Sequence, residues 1–111
     1  MRYISLFTHK ARNTGPSQQE IAAMGKLIEE GKKEGWLVTT EGVAWGDTGT
    51  RVQSADGKIS VTDGPFAEAK EVVGGFAVMQ VKSKEEALAL TRRFLAVAGD
   101  GTCELHQLFE M

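Results

Sequence analysis

The sequence predicts an α+β protein of the ferredoxin-like kind, in which two strand–helix–strand units share one antiparallel sheet. Two stretches combine a helix-capping pattern with an apolar stripe at helical spacing, and each lies between two strand-like runs. A third observation is a tight Asp-Gly turn between two alternating runs, inserted between the units. Because strand–helix–strand crossovers are right-handed, both helices should cover the same sheet face. We therefore expect a βαββαβ order with an inserted β-hairpin.

The first unit begins with a strand over residues 3–8, which are rich in aromatic and β-branched side chains. A polar, irregular stretch follows over residues 9–16. Ser17 and Glu20 have the capping-box spacing, and Gly35 ends the helix as a left-handed cap. The apolar stripe between them is expected to be buried in the core; it comprises Ile21, Met24, Leu27 and Ile28. Residues 36–40 form the second strand.

The hairpin comprises residues 50–54 and 58–62 around the turn at Asp56-Gly57. An isolated hairpin is marginally stable in water, so this one must rest on a larger sheet or on a partner. The second unit has a strand over residues 75–81, a helix capped by Ser83, and a last strand over residues 103–109. With both helices on one face, the other sheet face is left open, and a symmetric homodimer through that face is the simplest way to cover it.

Length and composition limit the class of protein. A chain of 111 residues fits a single domain, and 41% apolar with 25% charged residues is typical of a soluble globular protein. The net charge is −2 without a basic stripe, which argues against nucleic-acid binding. A single cysteine suits a reducing compartment, and no apolar run approaches the roughly 20 residues that span a bilayer. No signal peptide is visible, so we expect a cytoplasmic protein without membrane contact.

The loop after the hairpin concentrates the charged residues that are candidates for function. The strand run stops at Asp63, where Gly64-Pro65 forces the chain out of the strand conformation. Glu68 and Lys70 follow, and Gly74-Gly75 restarts a strand. Charged loops between apolar strands commonly carry function, but the same residues fit a solvated turn in which Asp63 caps backbone amides.

These residues also carry a resemblance. Asp63-Gly64-Pro65-Phe66-Ala67-Glu68, with Lys70-Glu71 and Gly74-Gly75-Phe76, resembles the signature of the DGPF branch of the YCII-related family. The likeness extends over most of the chain, including the first strand, the hairpin and the last strand. It implies one YCII-related domain over residues 1–111 and a dimeric α/β barrel built from two chains.

The resemblance also implies an acid–base site. Relatives in the wider family are thought to use a histidine–aspartate pair, and at least one eliminates chloride from a hydroxylated aromatic ring. Asp63 matches the motif aspartate, and His9 is the candidate partner as acid to its base. The resulting hypothesis is a lyase-, isomerase- or dehydrochlorinase-like enzyme for a small anionic or phenolic compound. Glu68 and Lys70 would position this substrate, and Trp45 would line the pocket, contact a second subunit or plug the core.

Two alternatives stay open at this point. The chain could be a non-catalytic module that binds a small ligand, or an accessory module associated with sigma factors, which the resemblance also implies. The charged motif could equally be structural. His9 and His106 lack a second histidine or a cysteine at metal-ligand spacing, and the glycines form no dinucleotide fingerprint. Cys103 lies in a strand, as a small buried hydrophobic residue would. We expect no metal and no cofactor.

Overall fold

The structure is a computed structural model that describes residues 1–10, 15–44, 49–64 and 71–110. Its elements follow the predicted order. They are β1 (Arg2–Lys10), α1 (Gln18–Glu34), β2 (Leu37–Gly42), β3 (Thr50–Ala55), β4 (Lys58–Asp63), β5 (Glu71–Gln80), α2 (Lys84–Ala98) and β6 (Thr102–Gln107). The prediction of two strand–helix–strand units around an inserted hairpin is therefore confirmed.

Four strands form one antiparallel sheet in the order β2-β5-β1-β6. β1 and β5 occupy the centre, so each strand–helix–strand unit straddles a strand that the other unit supplies. This interleaving is the ferredoxin-like arrangement, and it confirms the predicted fold class. It also places the ends of β1 and β5 side by side, where His9 faces Val72 and Lys10 faces Glu71.

Both helices begin where the capping patterns predict. The Ser17 and Ser83 hydroxyls each accept a hydrogen bond of 3.1 Å from the backbone N–H three residues later. Such caps satisfy donors that the first helical turn otherwise leaves without partners. Gly35 ends α1 with φ of 86°, the left-handed conformation that glycine adopts most readily. No helix in the four described ranges combines the length and the apolar character needed to cross a bilayer.

The core lies between α2 and the centre of the sheet. Its buried members come from β1, from β5 and the residue that follows it, and from α2, with Trp36 and Leu105 packed at the margin; they are Tyr3, Met79, Val81, Ala87 and Leu90. Met79 is 3% exposed and Ala87 is completely buried, so α2 lies directly on the sheet.

Helix α1 is less deeply buried than its apolar stripe predicts. Leu27 is buried, but Ile21 is 57% exposed, and Met24 and Ile28 are only half-buried. The expectation that the whole stripe belongs to the core is therefore wrong for its N-terminal half. The physical reason is that this half of α1 borders an open cleft above the sheet, which its apolar side chains line.

The two central strands are longer than their sequences indicate. β1 continues to Lys10, although residues 9–16 read as an irregular polar stretch, and β5 starts at Glu71 instead of Gly75. The two extensions pair with each other, so each supplies the hydrogen-bonding partner that makes the other a strand. The pairing shifts between Phe7 and Thr8, which leaves Gly74 as the extra residue of a β-bulge.

β3 and β4 form a separate two-stranded sheet. Asp56 and Gly57 have φ values of 51° and 78°, the pair of positive angles that a tight hairpin turn requires. The hairpin is therefore formed as predicted, and among the described residues its strands pair only with each other.

Candidate functional site

A cleft of about 1190 Å³ lies between the two helices and the helix-facing side of the sheet. Small-molecule sites typically have volumes of about 300–1,000 Å³, so this cleft has ample room for a small organic ligand. Its walls are mainly apolar and aromatic, with major contributions from Phe7, Ile21, Met24, Trp36 and Phe94. A mostly apolar cleft with a few polar groups is the usual form of a ligand site.

The main polar group in this cleft is the imidazole of His9. The side chain is 6% exposed, and it reaches the cleft because β1 places residues 5, 7 and 9 on the helix-facing side of the sheet. His9 Nδ1 lies 2.8 Å from the carbonyl oxygen of Lys10. A carbonyl oxygen can only accept, so Nδ1 carries the proton, and Nε2 is the basic nitrogen of the neutral ring.

The bulge glycine Gly74 makes room for this ring. A Cβ atom on Gly74 would lie 2.7 Å from His9 Cδ2, 2.7 Å from Phe7 Cδ2 and 3.1 Å from His9 Nε2. The first two distances are shorter than van der Waals contact allows, so any larger residue would displace one of the two rings. Bulges occur frequently beside functional sites, where they redirect a side chain. Gly74 therefore sets the position of His9 in the cleft.

His9 stands at one end of a row of aromatic rings. The Phe7 ring lies 5.5 Å from the imidazole at an interplanar angle of 32°, and the Phe94 ring meets Phe7 edge-on at 5.0 Å. Both distances are within the range of favourable aromatic contacts. The row offers both ring faces and ring edges to a bound molecule, so it suits a flat aromatic ligand.

Trp36 forms a second aromatic wall of the cleft. Its indole Nε1 is buried and has no hydrogen-bond partner among the described residues. The guanidinium of Arg93 lies 5.7 Å from the centre of the indole ring, and Arg93 also forms a 3.1 Å ion pair with Glu30. A buried donor without a partner costs free energy, so this N–H is a local cost to stability.

Charged residues of the described chain that border the cleft are mainly acidic. They comprise one lysine and four carboxylates: Lys10, Glu20, Glu41, Glu71 and Asp100. An excess of carboxylates disfavours a negatively charged ligand and tolerates a neutral one. These carboxylates do not converge on one point: no three His, Cys, Asp or Glu side chains in the described ranges are arranged to hold a metal ion.

Asp63 lies on the hairpin, at the end of β4, where its side chain is exposed. Its Oδ1 accepts a 3.0 Å hydrogen bond from the hydroxyl of Thr50, and Gly64 N–H donates to the carbonyl of Gly49 at 2.8 Å. These two bonds close the base of the hairpin. Among the described residues, no hydrogen bond joins Asp63 to His9, and Asp63 does not line the cleft. The proposed acid–base pair of Asp63 and His9 stays a prediction.

Three further residues that the sequence marks as candidates cannot be placed. Trp45, Glu68 and Lys70 lie outside the described residues, so their roles in substrate binding stay predictions. The second histidine, His106, is exposed on β6, and its Nε2 lies 3.5 Å from Glu104 Oε2. His106 does not line the cleft.

Sequence reasoning singled out His9 but missed its aromatic neighbours. The sequence indicates only a strand for Phe7 and Trp36 and only a helix for Phe94. One signal was available for Phe7: residues two positions apart on a strand face the same side, so Phe7 and His9 had to be neighbours. No comparable signal existed for Trp36 or Phe94, because they join the cleft through tertiary packing.

The thiol of Cys103 also faces the helix side of the sheet, since Cys103 pairs with Phe7 on β1. Burial raises the pKa of Cys103, and a side-chain hydrogen bond with Ser5 lowers it by less. The thiolate is the reactive form, so a raised pKa reduces the reactivity of this cysteine. It therefore behaves as a structural residue.

We predict that iodoacetamide alkylates Cys103 in the folded protein at least about tenfold more slowly than in the urea-unfolded chain, because both thiolate fraction and access are reduced. Mass spectrometry of timed samples at neutral pH measures both rates. The folded rate should increase as the pH is raised. Equal rates in the folded and unfolded chains would show that the thiol is exposed and unperturbed.

We compared the sequence with curated proteins and with models of protein families. No curated protein matches the sequence. The family model of the YCII-related domain matches residues 1–111, which is the full length. The fold of the single chain, with its two interleaved strand–helix–strand units, is the ferredoxin-like one that the sequence predicts. The chain therefore belongs to the YCII-related family.

Proposed function

We propose that this protein binds a small hydroxylated aromatic compound in the cleft and that His9 takes up the hydroxyl proton. The observation that carries the proposal is the buried imidazole of His9, whose tautomer is fixed by Lys10 and which ends a row of aromatic rings. A neutral histidine is a suitable base near neutral pH, because its unperturbed pKa is about 6.5.

The lining of the cleft favours a phenol over an anion. The sequence left both classes open, but the described residues around the cleft include four carboxylates and one lysine. A neutral phenol avoids repulsion by these carboxylates when it enters, and its ring can pack on Phe7 and Phe94. It becomes an anion only after binding, when its hydroxyl gives up a proton.

The proton step uses the two nitrogens of His9 in different ways. The phenolic O–H bond breaks, its proton moves to Nε2, and the electron pair remains on the phenolate oxygen. The ring becomes an imidazolium, while Nδ1–H keeps its bond to the Lys10 carbonyl. The carbonyl accepts from Nδ1–H in both states, so the ring keeps its orientation while Nε2 gains the proton. A phenolate is electron-rich, which assists loss of a leaving group or isomerisation on the ring.

The role of Asp63 distinguishes the two candidate functions, an enzyme and a binding module without turnover. A catalytic role requires Asp63 to reach His9 or the ligand, for example from a second copy of the chain. The specific observation in favour of binding without turnover is that the Asp63 carboxylate is exposed and holds Thr50. In that case the charged motif stabilises the hairpin, and His9 serves recognition alone.

The test uses 4-nitrophenol, a probe whose absorbance changes when its hydroxyl ionises. In a Trp45→Phe background, the fluorescence of Trp36 reports binding, and the absorbance of the probe reports proton transfer. We expect the bound probe to be more ionised than the free probe at the same pH. His9→Gln should lower the affinity at least about tenfold, by analogy with the loss of a charge-assisted hydrogen bond, and should abolish the added ionisation.

Two control variants sharpen this test. His106→Gln changes an exposed histidine outside the cleft, so it should leave binding and ionisation as in the parent protein. Asp63→Asn should reduce ionisation if Asp63 is coupled to His9, and should leave it unchanged if Asp63 only closes the hairpin. The proposal is wrong if His9→Gln binds and ionises the probe as the parent protein does.

A further inference from the structure

The cleft is larger than a single hydroxylated ring requires. Its volume of about 1190 Å³ exceeds the roughly 300–1,000 Å³ of typical sites, which already hold drug-sized ligands. His9, Phe7 and Phe94 form one part of its lining. The remaining part is mainly aliphatic, and one face of α1 provides much of it. We call this part the α1 channel; its apolar helical members are Ile21, Met24, Gly25, Leu27 and Ile28.

The direction of α1 makes the α1 channel lead away from His9. β1 and β2 both run antiparallel to β5, so they point the same way, and α1 returns the chain between them. β1 ends one residue after His9, whereas β2 starts at Leu37, which pairs with Met79 towards the other end of the sheet. Ile21 is therefore nearer to the His9 end than Ile28. The two residues are about 10 Å apart along the helix, at about 1.5 Å per residue.

The far end of the α1 channel is closed by direct contacts. A Cβ atom on Gly31 would lie 2.9 Å from atoms of Trp36 and Leu37, so this turn of α1 touches the start of β2. Arg93 of α2 forms a 3.1 Å ion pair with Glu30 in the same turn. The apolar residues nearer the start of α1 are exposed or half-buried. The channel is therefore open beside His9 and ends where α1 meets β2.

Gly25 leaves open space in the middle of the α1 channel. It follows Ile21 by four residues and precedes Ile28 by three, so the three share one side of the helix. Glycine destabilises the interior of a helix relative to alanine. Packing does not require it here, because no atom lies within 4 Å of the Cβ that alanine would have. Gly31 in the same helix differs, since its Cα approaches Trp36 closely. The space beside Gly25 is available to a ligand.

The charges around the cleft limit the chemistry of a ligand that fills the channel. Among the described residues at its border, carboxylates outnumber lysine by four to one. They would repel a fatty acid or a phosphorylated lipid, although either has an apolar chain. A polar substituent would be desolvated against the aliphatic wall, which costs free energy. The portion of the ligand in the α1 channel is therefore uncharged and apolar.

We propose that the ligand is a phenol with an aliphatic chain, whose hydroxyl meets His9 and whose chain lies in the α1 channel. Gly25 and Met24 set the selectivity for this chain. Gly25 provides the space, and Met24 is unbranched and flexible, so it can adapt to the shape of the chain. The phenolic head group rests on the proposed function, whereas the apolar channel does not.

The test compares the affinities of para-ethylphenol and para-hexylphenol by isothermal titration calorimetry, with the phenol in the cell and the protein in the syringe. Each methylene group that enters an apolar site tightens binding about three- to fourfold. The two probes differ by four methylene groups, so we expect the parent protein to bind para-hexylphenol at least about 50-fold more tightly. The ratio of the two affinities reports the channel, because both probes have the same head group.

Two variants of the α1 channel should reduce this ratio. Gly25→Leu fills its open space, and Met24→Gln places an amide on its wall; leucine and glutamine are both good helix formers. Each should lower the ratio at least about fivefold, mainly by weakening para-hexylphenol binding. Ala22→Leu and Ala22→Gln make the matched changes on the exposed side of α1, outside the cleft, and should leave the ratio within about threefold. Circular dichroism checks that all four variants are folded.

The outcomes separate this inference from the proposed function. His9→Gln should weaken both probes by a similar factor. If it does so but the ratio in the parent protein is below about threefold, the α1 channel is overturned and the proposed function stands. An unchanged ratio in Gly25→Leu or in Met24→Gln would also overturn the channel, since the chain would then lie elsewhere. If His9→Gln leaves both affinities unchanged, the phenolic head group is wrong, and the ratio still decides whether the channel binds the chain.

Discussion

Replacing Met79 with alanine is expected to lower the free energy of unfolding by about 2–5 kcal/mol. Met79 is 3% exposed and packs in the core with Tyr3, Val81, Ala87 and Leu90. Truncation removes buried apolar atoms and leaves a cavity that β5, a central strand, cannot close by moving. Small domains are stable by only about 5–15 kcal/mol, so this variant should lose a substantial part of its stability.

Urea denaturation measures this loss, with Met24→Ala as the matched control. Met24 is half-buried beside the cleft, and alanine is a better helix former than methionine. We therefore expect Met24→Ala to change the free energy of unfolding by less than about 1 kcal/mol. Similar losses in the two variants would mean that the core does not lie between α2 and the sheet.

Replacing Gly74 with alanine is expected to damage both stability and ligand binding. The new methyl group would lie 2.7 Å from the His9 and Phe7 rings. Phe7 is held by Phe94, and His9 is held by its bond to Lys10, so neither ring can move without losing a contact. Overpacking of this kind costs about 1–3 kcal/mol. Displacement of the imidazole should also weaken 4-nitrophenol binding at least about tenfold, as loss of a charge-assisted hydrogen bond would.

Two comparisons make this prediction specific. Gly25→Ala places a methyl group in α1 where no atom lies within 4 Å, and it should raise the free energy of unfolding by about 1 kcal/mol. In a Phe7→Leu background, the smaller side chain frees space, so Gly74→Ala should cost less than in the parent protein. If Gly74→Ala and Gly25→Ala have the same effect on stability, the bulge does not constrain the two rings.

The parts of the fold that sequence reasoning predicted are those that local chemistry determines. The serine caps, the Gly35 terminus and the Asp56-Gly57 turn each depend on a few neighbouring residues. The strand order could also be predicted, because the handedness of the crossovers leaves few arrangements. The extension of β1 to Lys10 could not be predicted, because it requires pairing with Glu71 across the sheet.

The candidate site was predicted in part, for the same reason. His9 was singled out by its chemistry, but its burial depends on the bulge at Gly74, which is far away in the sequence. The cleft depends on the distance between α1 and the sheet. An apolar stripe such as that of Ile21 and Met24 has the same sequence pattern whether it lines a cleft or packs in a core. Periodicity shows which side of a helix is apolar, but not what that side contacts.

The position of β1 in the sheet has a consequence for how the chain folds during synthesis. β1 is made before both of its neighbours, β5 and β6, because Tyr3 pairs with Met79 and Gln107, which come much later in the chain. The main sheet can therefore be completed only after β5 and β6 have left the ribosome. The β3–β4 hairpin, by contrast, closes locally, on the microsecond timescale of isolated hairpins. A product that ends before β6 leaves one edge of β1 unpaired, and we expect such incomplete chains to aggregate.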